Sequence, residues 1–79
     1  MPRYFFDVQD SRGLHRDRVG DELATLGDAV EQARIILPDI MLEEPLVAHM
    51  HTVTCDVRDE AGRVLYRGKM TYEEIGDSD

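Results

Sequence analysis

Two histidines and the chain's single cysteine, His49, His51 and Cys55, lie within seven positions of one another. In an extended segment alternate residues point to one side, so the three could converge as nitrogen and sulfur donors for zinc. A tetrahedral site needs a fourth ligand, and no Cys-x-x-Cys or His-x-x-x-His spacing supplies it. Cys55 stands between Val53 and Val57, the setting of a small core residue. With His51 as its base it would make a poor nucleophile, because burial in mid-strand raises a thiol pKa. A metal-binding or thiol enzyme is therefore the third of three readings.

Other reactive groupings are thinner. Ser11 and Ser78 are the only serines, one in a turn and one in an acidic tail, which excludes a hydrolase triad. Asp21 with Glu22 and Glu43 with Glu44 are adjacent acids of the kind that flank helices in solvent. The glycines are isolated, so no phosphate-cradling loop is visible, and the Asp-rich turns lack the alternating oxygen ligands of a calcium loop. Arg63, Arg67, Lys69 and Phe5 could share a sheet face, but sheets that read RNA stack bases on several aromatics, and here only Phe5 faces that way. The expectation is no enzyme, no cofactor, no metal and no nucleic-acid partner.

The elements that would position these residues follow from periodicity. Arg3 to Gln9 alternates, with Tyr4, Phe6 and Val8 on one face and Phe5 as the large apolar residue on the other. Asp10-Ser11-Arg12-Gly13 supplies hairpin chemistry, and a short strand is expected over Leu14 to Val19. Asp28 with Glu31 fits a capped helix start, and Ala29, Val30, Ala33, Ile36, Leu37, Ile40 and Met41 keep helical spacing. Pro38 interrupts that run, predicting a kinked helix or two abutting ones that end near Glu44 and Pro45. Val47 to Met50 reads as a connecting loop.

His51 to Arg58 forms the third strand, with Val53, Cys55 and Val57 inward. Asp59-Glu60-Ala61-Gly62 closes a second hairpin. Arg63 to Tyr72 is the fourth strand, with Val64, Tyr66, Met70 and Tyr72 on one face and Leu65, Arg67 and Lys69 on the other. Asp7-Val8-x-Asp10-x-x-Gly13 and Asp56-Val57-x-Asp59-x-x-Gly62 share one skeleton, which a type I turn closed by a left-handed glycine explains. The fold class is α+β, in the order ββαββ: an antiparallel sheet of two hairpins with one helix packed on one face. Residues 1–72 form the single domain and 73–79 an acidic, frayed tail.

With 79 residues there is room for one modest core, and at this size a partner subunit, a metal or disulfides often add stability. One cysteine forms no internal disulfide, no signal-like segment opens the chain, and no apolar run approaches a membrane span, so the cytoplasm is expected. The net charge of -8 repels phosphate backbones. Eight of the nine basic residues are arginine, suited to specific ion pairs.

The opening Met1-Pro2-Arg3-Tyr4-Phe5-Phe6-Asp7-Val8, the capped amphipathic helix and the Val57-Arg58-Asp59-Glu60-x-Gly62 turn resemble a family of small proteobacterial proteins known only as a domain of unknown function. The resemblance covers nearly the whole chain and implies a fold and a bacterial cytoplasmic setting, with no activity or site residue attached. Pro38 departs from that family's uninterrupted helix. A weaker likeness is to small antitoxins of the HicB type, which also run strand, turn, strand, capped helix. The leading reading is a non-enzymatic interaction module that self-associates or binds an unknown protein, with Phe5, Leu65, Arg67 and Lys69 as its surface. The alternative is an acidic, antitoxin-like regulator of a basic protein acting through Asp39, Glu43, Glu44 and the tail.

Overall fold

The computed structural model describes residues 1–44 and 49–76. Strand β1 (Arg3–Asp10) leads into β2 (Gly13–His15) and a two-residue β3 (Asp21–Glu22), followed by helix α1 (Leu26–Glu43), β4 (Met50–Arg58) and β5 (Val64–Glu73). Every strand pair is antiparallel, in the order β2-β1-β4-β5, with β3 beside the start of β1. This is the expected α+β fold in ββαββ order, with β3 added. No helix among the described residues is long and apolar enough to cross a membrane.

Period-two alternation builds the core. Tyr4, Phe6 and Val8 of β1 and Val53, Cys55 and Val57 of β4 point to the helix, which answers with Ala29, Ala33 and Leu37. Two alanines facing the sheet let the helix come close, and Leu37 fills the space left by Gly68, where a Cβ would stand 2.9 Å from its Cδ1. The helix packs mainly over β4 and β5 and only lightly on β1.

Three details differ from the sequence expectation, and of the two outcomes expected at Pro38 the split helix is not found. The second strand stops at His15 rather than Val19, because the Asp17 carboxylate competes for backbone donors: Oδ1 accepts from Val19 and Gly20 at 3.0 Å and Oδ2 from Phe6 at 3.1 Å. The helix begins one turn early. Thr25 is its N-cap, with Oγ1 accepting from the Asp28 backbone at 3.1 Å, so Asp28 sits in the first turn instead of capping it. Pro38 lies inside one continuous helix, which it does not split. Finally, a bulge at Val57 and Arg58 places Val64, 48% exposed, across from Arg58 of the outer face instead of on the core face with Tyr66.

The chain ends also shift. Met50, expected in a loop, starts β4, and Glu73, expected in the tail, ends β5. Pro45, Val47, Ala48 and Ser78 lie outside the described residues, as do positions 77–79 of the expected tail.

Candidate interaction surface

β5 is the last strand of the sheet and, among the described residues, nothing pairs with its outer edge. The Glu74 N–H donates to the His49 carbonyl at 2.8 Å, which sets the phase of the β4–β5 ladder. Residues 66, 68, 70, 72 and 74 therefore spend their backbone groups on β4. Leu65, Arg67, Lys69, Thr71 and Glu73 turn theirs to the open side. Exposed apolar side chains accompany that edge: Val64, Leu65, Tyr72 and Ile75, the last 89% exposed.

Across the outer face, rows run from β1 through β4 to β5. Asp7, Asp56 and Arg67 form one row, and Gln9, Thr54 and Lys69 the next. Arg67 clamps Asp56 with both Nε and Nη2, at 2.5 and 2.8 Å, while Lys69 stands exposed opposite Thr54. Phe5 is half-buried rather than open. The Arg58 guanidinium lies 4.7 Å from its ring centroid, and Gly20 presses on it so closely that a Cβ there would stand 2.9 Å from the ring. Of the four expected surface residues, Leu65, Arg67 and Lys69 thus lie together on β5, with Phe5 set apart behind Arg58.

Asp7 is the buried centre of this face. Arg58 Nε donates to its Oδ2 at 2.8 Å, the Asp17 N–H donates to Oδ1 at 2.9 Å, and Arg58 Nη2 donates to the Asp17 carbonyl at 2.9 Å. Burial pushes the Asp7 carboxyl up, but the Arg58 and Asp17 hydrogen bonds and the charges of Arg58 and Arg16 outweigh it and hold the pKa below the ordinary value. Asp17 is lowered likewise, burial being overcome by three backbone N–H groups. Sequence reasoning missed this network. Asp7 and Arg58 stand 51 positions apart, and only the β1–β4 register brings them together.

The metal and thiol candidates part company. His51 and Cys55 are buried on the core side, whereas His49 is exposed outside β4, its Nδ1 4.0 Å from Glu74. Burial, with Asp56 and Asp7 nearby, pushes the Cys55 thiol up to about 11, so it is an inert core residue at neutral pH. Among the described residues no three His, Cys, Asp or Glu side chains gather to hold a metal.

Because the helix sits to one side, the β1–β2 side keeps an open groove of about 410 Å³ floored by Phe6, Val8 and Ile40. Most of its polar rim is held within the chain. The Asp10 carboxylate, fully buried, accepts from the Arg12 N–H and Nη2, both at 2.8 Å, and from His15 Nε2 at 3.2 Å. Nearby, Glu44 is buried and accepts from the Ser11 N–H at 2.8 Å and from its hydroxyl, so it does not present its charge to a partner. No curated protein and no solved structure matches the chain. A family described as a domain of unknown function (DUF6894) matches residues 3–71, nearly the whole length, and the chain belongs to that family.

Proposed function

We propose that this protein is a non-enzymatic protein–protein interaction module that self-associates. The observation that supports the reading best is β5: a ten-residue edge strand whose outer backbone edge has no partner among the described residues and which carries exposed apolar side chains. Natural sheets blunt such edges with prolines, charges, bulges or a covering element; β5 carries Lys69 and the bulge opposite Val57 and Arg58 but, among the described residues, no proline and no covering element. A small core gains most from covering it. The free, buried thiol suits a cytoplasmic setting.

Size-exclusion chromatography with light scattering over a dilution series tests the reading. A mass of twice the chain at micromolar concentration is expected, and a monomer at high micromolar concentration overturns it. The regulatory alternative rests on Asp39 and Glu43, which are exposed on α1, but loses Glu44 to its contact with Ser11.

A further inference from the structure

We propose that two copies join edge to edge through β5, antiparallel about a two-fold axis at Met70, giving one sheet of order β2-β1-β4-β5-β5-β4-β1-β2. This rests on the self-association reading and adds its register and its contacts.

A symmetric antiparallel seam must place one residue on its axis, and the charges of β5 choose among the possibilities. An axis at Arg67 or at Lys69 sets like charges face to face. One at Gly68 sets Arg67 against the partner's Lys69, twice. An axis at Thr71 sets Lys69 against the partner's Glu73 but leaves only Lys69 to Glu73 of the strand in register, against Arg67 to Glu73 for an axis at Met70, and sets Arg67 against the partner's Ile75. With the axis at Met70, Arg67 faces the partner's Glu73 and Lys69 the partner's Thr71. Leu65 then faces the partner's Ile75, and that isoleucine is 89% exposed in the single chain. Arg67, Lys69, Thr71 and Glu73 also carry the outward backbone groups, so these facing pairs are the hydrogen-bonded ones.

The helix points to the same axis independently. The Leu23 N–H bonds the Pro2 carbonyl and the Ser11 N–H bonds Glu44, so α1 runs in the direction of β1 and hence of β5. Leu37 lies over Gly68. Met41, four residues on at about 1.5 Å each, lies about 6 Å further, which at about 3.3 Å per strand residue is level with Met70. At 100° per residue it lies some 40° beyond Leu37, on the side away from Ile40, which faces the β1 groove, so Met41 is turned to the free edge. A helix seated between β4 and β5 is about one strand spacing from the seam, so two such helices lie about 10 Å apart, a normal packing distance. Met41 and Ile75, the latter the most exposed large apolar side chain, are thus both covered by one symmetry operation.

Three single substitutions, Lys69→Cys, Met70→Cys and Thr71→Cys, test the register under mild oxidation; native Cys55 is fully buried and does not compete. Only Met70→Cys is expected to give a covalent dimer, since only its two Cβ atoms face each other at roughly disulfide distance. A dimer that cross-links through position 69 or 71, or through none of the three, overturns the proposal while leaving self-association standing; a monomer by light scattering overturns both. Because Met70 packs partly on the core, Ile75→Asp gives a second measurement at a surface site. It is expected to weaken dimerisation roughly tenfold or more with an unchanged circular dichroism spectrum. Unchanged dimerisation overturns the proposal.

Discussion

At Asp7 and at Arg67 the same chemistry, an arginine clamped on a carboxylate across neighbouring strands, occurs in two different media. The Asp7–Arg58 pair is covered, with side-chain exposures of 8% and 13%, whereas Arg67 is 64% exposed beside Asp56. Removing one partner of a covered pair strands the other, so Asp7→Ala is expected to lower unfolding free energy by about 3 kcal/mol. Breaking the open pair with Arg67→Ala is expected to cost about 1 kcal/mol or less. Urea denaturation of both variants as monomers, below their dimerisation range, checks the contrast. The carboxylates also set the acid limit. Asp7, Asp10 and Asp17 are all held below the ordinary value, so the unfolded chain binds more protons than the folded one as pH falls. Their contribution is fully present above the unfolded pKa of about 3.9 and is lost as pH drops through the folded values. Denaturation midpoints followed downward from neutral pH should therefore hold until about pH 5 and fall steeply below about 4, and Asp7→Asn should flatten that fall.

Among the elements, the helix shows most plainly what composition and spacing reveal and what they hide. Ala29, Ala33 and Leu37 were legible as its buried stripe, as were the alternating faces of β1 and β4, because burial repeats with backbone period. The cap was not. Thr25 and Asp28 are both good capping residues three positions apart, and Leu26 and Gly27 give no periodic signal to choose between them. The early end of β2 and the existence of β3 were equally hidden, since Asp17 acts through backbone groups that any sequence would offer. Pro38 was legible as a fault but not in its outcome. It removes one backbone donor, yet Leu37 on one side and Ile40 and Met41 on the other still reach the core, and their packing holds the helix in one piece. Restoring the lost donor with Pro38→Ala should then raise stability by about 1–3 kcal/mol, read as a higher urea midpoint with an unchanged slope. A drop in stability would mean that the ring's own contacts outweigh the missing hydrogen bond.

For the whole molecule the governing quantity is net charge. The outward side chains of β5 could be listed from the sequence, but their role could not, because an open edge is defined by strand order and strand order depends on pairings between distant residues. Two copies that meet there bring together two bodies of charge -8. Against this long-range repulsion stand local Arg67 to Glu73 attractions at the seam, solvent-exposed and worth about 0–1 kcal/mol each. The repulsion is the larger of the two. Raising salt from about 10 mM, where the screening length is about 30 Å, to about 150 mM, where it is about 8 Å, removes repulsion between the bodies but screens contact pairs much less. Dimerisation measured by sedimentation equilibrium should tighten with salt over that range. It should also tighten from neutral pH towards the sequence isoelectric point of about 4.7, until acid unfolding sets in below it. Weakening with salt would show instead that contact ion pairs govern the association, and the balance of charges assigned to this edge would have to be redrawn.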